Sequence, residues 1–231
     1  MKFNKNLAAI HGYLCGDGYV IKNPQHQQHK YYHIGLRNTD STLLTDFQKR
    51  FKEVFGLKPH IVDGRCRIQN KDIYNILTKD YSYYSYEWKL PQLSKENLRY
   101  WLMAFFDCEG WVENQPAKSR IIGLECCNRK GIFSIQKELN RFGIDSKVSK
   151  KKGRTIWRLT ICGLNNLKRY NAQIGFLHPD KAKKLKEALS SYKNYNWTIP
   201  KTRTQLFYFI RTQGREQKFR NEILFIFNLY F

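Results

Sequence analysis

Two carboxylates, Asp17 and Glu109, occupy equivalent places in two similar stretches of this chain. Each follows an apolar run and precedes a glycine, in residues 10–18 and again in residues 102–110. Brought side by side, two such acids repel unless they are protonated or metal-bound. Hard divalent cations such as magnesium prefer carboxylate and water oxygens. The chemistry open to this pair is therefore that of a divalent cation.

Helices must carry the two acids. Leu98, Leu102 and Phe105 with Phe106 recur at the spacing of one buried helical face. Ser94 fits an N-cap and Gly110 a C-terminal stop, which puts Asp107 and Glu109 in or beside the last turn. The helix dipole is negative there, so an unpaired carboxylate is disfavoured by up to about 1 kcal/mol, and a cation would reverse the sign. Small residues recur four apart in each run, Gly12 and Gly16 in the first, Ala104 and Cys108 in the second. That spacing lets two helix backbones approach closely. Parallel packing would set Asp17 beside Glu109.

Residues 10–18 and 102–110 resemble two copies of the motif of LAGLIDADG homing endonucleases, 92 residues apart. Asp17 and Glu109 fall on the motif's metal-binding acid, Gly18 and Gly110 on its final glycine, and Gly12 on its packing glycine. The departures are Ala104 at the packing position and Cys15 where the first aspartate of the motif would stand. The resemblance implies a nuclease that cuts DNA within long, loosely specified sites, with magnesium as cofactor, manganese as a substitute and calcium supporting binding without cleavage. It also implies a supporting lysine near Asn38 or Thr39 and near Cys127 or Asn128. None of these is basic, which leaves Arg37 and Arg129 as the neighbouring cations.

The charge of the whole chain agrees. Its 231 residues carry a formal net charge of +22, with 15% aromatic residues. Basic residues outnumber acidic ones in each of residues 1–98, 99–195 and 196–231. Such a chain is most simply a nucleic-acid binder, either enzymatic or, as in ribosomal proteins, structural. Six cysteines form no CxxC pair and nothing at the N-terminus resembles a signal peptide, so an intracellular, reducing compartment with buried free thiols is expected. His26, His29 and His33 lack a matching ligand pair, and no zinc is expected.

Around the motifs the chain repeats. Strands over 19–22 and 31–37 flank the polar loop 23–30. A helix then opens at Asp40 with Leu44, Phe47, Phe51 and Val54 inward and stops at Gly56. Short strands over 58–62 and 65–69 meet at Asp63-Gly64, and a helix covers 71–78. The second half has strands near 111–113 and 120–127, then a helix with Ile132, Ile135, Leu139 and Phe142, each 88 residues after its counterpart, stopped by Gly143. The expected fold is α+β: duplicated αββαββα units, with the two motif helices at the central interface and, as the resemblance implies, two antiparallel sheets forming a saddle over DNA. The halves are 1–92, including a linker at 80–92 with tyrosines for packing across the junction, and 93–195. Pro179 starts a last helix with Leu185 and Leu189 inward and Lys181, Lys183, Lys184 and Lys186 largely outward. The tail 196–231 contains two apolar runs, both too short to span a membrane.

The second hairpin of each half is basic on one face. Arg65, Arg67 and Gln69 alternate with Cys66 and Ile68, whereas Arg154, Arg158 and Thr160 alternate with Trp157, Leu159 and Ile161, Ile156 being an exception. A β-ribbon fits the major groove, where Arg and Gln reach base edges. Lys150, Lys151 and Lys152, at a turn, suit phosphates. The function read from the sequence is a site-specific, metal-dependent endonuclease acting on double-stranded DNA as a pseudo-symmetric monomer and promoting homing of its intron or intein. The alternatives are an RNA maturase bound to its intron RNA and a non-catalytic DNA-binding regulator. Duplex binding should weaken steeply with salt, each neutralised phosphate adding about 0.9 to the slope of log affinity against log salt. A flat plot in a salt titration would refute duplex binding.

Overall fold

Asparagine, aspartate and serine side chains start most of the helices. Asn4 accepts from the Leu7 N–H and begins α1 (Lys5–Cys15), and Asp40 accepts from the N–H groups of Thr42 and Leu43 to begin α2 (Ser41–Phe55). Asn70 starts α3 (Lys71–Thr78), Ser94 starts α4 (Lys95–Glu109) and Asn128 starts α5 (Arg129–Leu139) in the same way. Gly56 ends α2 in the left-handed conformation that favours glycine, at φ 71°. This computed structural model describes residues 2–24, 26–29, 31–115 and 119–192. The tail 196–231, with both of its apolar runs, lies outside the described residues. Within them, no helix is long and apolar enough to cross a membrane.

In the first half, α1 leads into β1 (Gly18–Lys22), β2 (Tyr32–Arg37), α2, β3 (His60–Val62), β4 (Arg65–Gln69) and α3. In the second, α4 leads into β5 (Gly110–Gln115), β6 (Ser119–Cys126), α5, β7 (Lys147–Lys150), β8 (Trp157–Cys162) and α6 (Leu164–Gln173), with α7 (Pro179–Ser190) added at the end. The αββαββα duplication is therefore present. Each half holds one antiparallel four-stranded sheet, ordered β1-β2-β4-β3 and β5-β6-β8-β7. Two local details differ from the sequence reading. The helix expected to run through Phe142 ends at Leu139 and tightens into a 3-10 turn over Asn140–Phe142 before Gly143. The helix α6 is the third helix that the duplication calls for, but its bounds are not legible because only Leu167 and Tyr170 of its residues are buried, too few for a readable stripe.

Helices cover one face of each sheet. Ile34, Leu36 and Cys66 of the first, and Ile122, Leu124, Leu159 and Ile161 of the second, point into the two cores and are buried. The cores meet across α1 and α4. Ala8 and Cys15 of α1 face the second core, while Ala9, Ile10, Tyr13 and Leu14 face the first, joined by Ala104 of α4. That double duty is why α1 is buried from Leu7 to Cys15.

Small residues permit this contact. A Cβ added at Gly12 would stand 2.5 Å from the Trp101 carbonyl oxygen and 3.2 Å from the Ala104 Cβ, and one at Gly16 would stand 2.5 Å from the Cys108 Cβ. Helix propensity alone would make Gly12→Ala more stable by about 1 kcal/mol. Close packing reverses the sign, because overfilling such a contact costs about 1–3 kcal/mol and a backbone carbonyl cannot swing aside. Gly12→Ala should therefore unfold at lower urea than the parent chain. An unchanged or higher midpoint would contradict the close contact.

Candidate functional site

The parallel contact of α1 and α4 brings their C-terminal ends together. Asp17 follows the cap residue Gly16 and Glu109 is the last residue of α4. A Cβ built at Gly16 would lie 3.7 Å from the Glu109 Cγ. Burial, and next to it the charge of Asp17, push the Glu109 carboxyl up to about 7, against the opposing field of Lys181. Two acids at two negative helix ends are thus gathered in a partly desolvated place.

Different neighbours serve the two acids. Asn38, directly after β2, donates from Nδ2 to Asp17 Oδ2 at 2.8 Å and accepts from the Asp40 N–H at 2.8 Å, so its amide is fixed from both sides. In the second half the counterpart of Asn38 is Cys126, whose thiol donates to the Asn128 carbonyl at 3.5 Å; Asn128, the cap that corresponds to Asp40, accepts from the Gly131 N–H and donates to the Trp88 carbonyl at 2.6 Å. A cavity of about 170 Å³ borders Glu109, with Glu125, Cys126 and Cys127 of the second half and Ser85 of the linker in its wall.

The cation that the end of α4 calls for is Lys181. Its Nζ donates to the carbonyl oxygens of Phe106, Asp107 and Cys108 at 3.3, 2.5 and 3.4 Å. The Asp107 carboxylate answers by accepting from the N–H groups of Leu177 and His178, at 3.0 and 3.1 Å, just before α7. The end of α4 and the start of α7 therefore cap each other. Lys181 faces inward here, not outward as its place in a lysine-rich run suggests. Helical spacing cannot show that a residue at the first turn of α7 lies against another helix's end.

The basic residues of the hairpins divide in two. On the first sheet Arg37 pairs with Arg65, Gly35 with Arg67 and His33 with Gln69, so these polar side chains share the face away from the core. Tyr19 covers Gly35, where an added Cβ would lie 2.5 Å from its hydroxyl oxygen. On the second sheet Glu125 pairs with Arg158. Glu125 Oε1 receives Arg158 Nε at 2.7 Å, with Lys151 Nζ at 3.3 Å. Burial alone would raise the Glu125 carboxyl, but hydrogen bonds from Arg158 and Lys151 outweigh it and hold the group below its usual range. The strand β8 begins at Trp157, so Arg154 lies with Lys151 and Lys152 in the preceding turn, and Ile156 breaks no alternation. Lys150 ends β7, and Arg129, at the start of α5, lies over the rings of Phe133 and Trp157. The sequence reading missed Asn38 as a partner of Asp17, the clasp of Lys181, and Glu125. Counting in twos along β6 from Gly123 would have placed Glu125 on the outer face.

Among the described residues no three or more His, Cys, Asp or Glu side chains gather as a metal site. Two carboxylates nevertheless suit magnesium, which keeps several waters and takes one or two carboxylates plus substrate phosphates. The convergence of the Gly16–Asp17 end of α1 on Glu109, a carboxyl raised first by burial and then by the charge of Asp17, is what fits such an ion.

Residues 4–87 and 96–175 both match the profile of the LAGLIDADG-like domain. A replication factor C small subunit of Thermococcus kodakarensis is 28% identical over 191 residues, 76% of this chain and 20% of that protein. A glutamine–fructose-6-phosphate aminotransferase of Methanocaldococcus jannaschii is 26% identical, over 88% of this chain and 19% of that protein. The chain thus spans about a fifth of the length of these relatives. In fold it is similar to I-DmoI, solved in complex with DNA and Mn, at a TM-score of 0.57 and 16% identity, covering 74% of this chain and 96% of that one. I-DmoI has also been solved with DNA and Ca. I-WcaI bound to its DNA recognition sequence gives 0.55 and 12%, covering 80% and 88%.

The displaced Glu109 carboxyl has a consequence for stability. A carboxyl held up in the folded chain, from an ordinary 4.5 to about 7, binds its proton more tightly folded than unfolded. Its contribution is fully present below about 4.5 and is lost as pH rises through about 7. In metal-free buffer, Glu109→Gln should therefore gain on the parent chain as pH rises over that window, by up to about 3 kcal/mol, a tenfold change in protonation being worth about 1.4 kcal/mol. Urea unfolding in EDTA at pH 5 and pH 8 checks this, and parallel curves would refute it.

Proposed function

The chain belongs to the LAGLIDADG-like domain family, and from that premise we propose that it is a metal-dependent endonuclease that breaks both strands of duplex DNA within a long recognition site. The observation that carries this reading is the pairing of Asp17 and Glu109 at two adjoining helix ends. Packing of the helices needs Gly12, Gly16, Ala104 and Cys108, but it does not need two carboxylates. Retention of both acids favours catalysis over a purely DNA-binding regulator.

In this reading Asp17 and Glu109 hold magnesium or manganese. When bound, such an ion would lower the pKa of an attacking water and offset charge on the departing 3′ oxygen. The chain's own residues do the positioning. Asn38 fixes the Asp17 carboxylate by its hydrogen bond, and Lys181 holds the end of α4 that bears Glu109. The two sheets supply the long footprint, with Arg37, Arg65, Arg67 and Gln69 in one half-site and Arg158 in the other. Lys150, Lys152, Arg154 and Arg129 would meet phosphates, while Lys151 is turned onto Glu125. The halves divide near residues 92 and 93, and one chain serves both half-sites as a monomer.

A replication factor subunit and an aminotransferase share this segment as about a fifth of their length. A segment common to proteins of unrelated activity supports a mobile element, whose copying into an intron-less or intein-less site a double-strand break would promote.

Asp17→Asn and Glu109→Gln remove a metal-ligand charge at nearly constant shape. Each should slow magnesium-dependent cutting beyond the roughly 10–100-fold that loss of an outer-shell partner costs a metal site. Affinity for the selected DNA site in calcium should stay within about twofold, since the phosphate and base contacts that dominate binding lie elsewhere. Plasmid cleavage and gel-shift assays measure the two quantities. Cutting at the parent rate would end the catalytic assignment, and joint loss of binding would make the acids structural.

A further inference from the structure

One arginine on the outer sheet faces is held in a fixed pose. Arg158 Nε and Nη2 lie 2.7 and 2.5 Å from Glu125 Oε1, and its Cζ sits 5.4 Å from the centre of the Trp111 ring. Trp111 in turn lies across Gly123, where any Cβ would collide with the indole. Glycine at 123, indole, guanidinium and carboxylate thus form one stack on β5, β6 and β8. A guanidinium carries five N–H donors, so those not engaged by Glu125 remain for a ligand; Glu125 Oε2 accepts from Lys151 Nζ at 3.3 Å, which leaves that oxygen one further lone-pair direction for a donor.

The internal duplication sharpens the meaning of this pair. Gly35 and Gly123 are equivalent, each lying under an aromatic ring, Tyr19 in one half and Trp111 in the other. Counting two residues on places Arg37 in the position of Glu125. The strand partner of Arg37 is Arg65, whereas that of Glu125 is Arg158. The same site in the fold therefore presents two cations in the first half and, in the second, an acid that holds two cations, Arg158 and Lys151. A phosphate suits two cations but is repelled by a carboxylate. A donor next to an acceptor suits a base edge.

Resting on the duplex-nuclease reading, we propose that Glu125 and Arg158 together read one G·C base pair in the major groove. Arg158 donates to guanine O6 and N7, and Glu125 accepts from the N4 amino group of the paired cytosine. Across the major groove a G·C pair offers acceptor, acceptor, donor in that order. An A·T pair offers acceptor, donor, acceptor, so thymine O4 would face the carboxylate that needs a donor. Glu125 also borders the cavity beside Glu109. The base pair read by this couple accordingly lies at the inner end of the second half's half-site, next to the cut. The equivalent position of the other half-site meets Arg37 and Arg65 and carries no demand for a cytosine amino group, so the target is not palindromic there.

The test uses the full chain in calcium and duplexes in which each base pair of the selected site is varied in turn. The parent protein should prefer G·C over A·T by about tenfold at one inner position, the scale of one good bidentate contact. Glu125→Gln and Arg158→Lys should each reduce that preference to about twofold or less and leave all other positions unchanged. Arg37→Ala should change only the opposite half-site. Thermal melts identify any variant that fails to fold, and Glu125→Ala then stands in for Glu125→Gln. Normal binding with an unaltered profile in the Glu125 variants, or no G·C preference at any inner position, would overturn this inference alone. Failure of the parent protein to bind any duplex would overturn the nuclease reading along with it.

Discussion

The approach of two helix backbones governs this molecule. Where α1 crosses α4, Gly12 faces the Trp101 carbonyl and Gly16 faces the Cys108 side chain, with no room for a methyl group at either place. Such contact does three things at once. It closes the two cores against each other through Ala8, Ala9 and Ala104. It aligns the negative ends of two helices, which neither helix would choose alone. It sets Asp17 and Glu109 next to each other, with burial and repulsion already raising Glu109. A pair of acids suited to a cation is therefore a by-product of how the halves join, and a side chain inserted between the helices would damage stability and the proposed chemistry together.

Duplication makes the halves alike, and the places where likeness fails carry information. The clasp between Asp107 and Lys181 exists on one side, because Cys15 stands where Asp107's counterpart would be and α7 follows the second unit only. Asn38 reaches Asp17, whereas its counterpart 88 residues on is Cys126, whose thiol donates to the Asn128 carbonyl. Glu125 faces Arg158 where the first half has Arg37 facing Arg65. Each exception lies near the acids or on an outer sheet face, and the repeated core is untouched. Packing demands symmetry, while a nucleic-acid duplex of arbitrary sequence does not.

Features written in local pattern were legible in the sequence. The motif acids, the caps Asp40 and Ser94, the turn at Asp63-Gly64 and the buried stripe of α2 depend on neighbours within about one helical turn or one strand. So does the alternation that places Arg65 and Arg67 outward. Contacts between residues distant in the chain were not legible. Lys181 meets carbonyls more than seventy residues away, and its inward pose follows from where α7 docks. The partnership of Glu125 and Arg158 is fixed by strand register. The bounds of helix α6 were hidden for a different reason, since two buried side chains leave no periodicity to read.

We propose that the joined helix ends hold a divalent cation between Asp17 and Glu109. Manganese scatters anomalously, so a crystal of the protein with its selected duplex, grown in manganese, reports the ion's position directly. An anomalous peak coordinated by carboxylate oxygens of Asp17 and Glu109 and by a DNA phosphate is the result this account requires. Manganese bound elsewhere, with the two carboxylates turned away from each other and from the DNA, would contradict it.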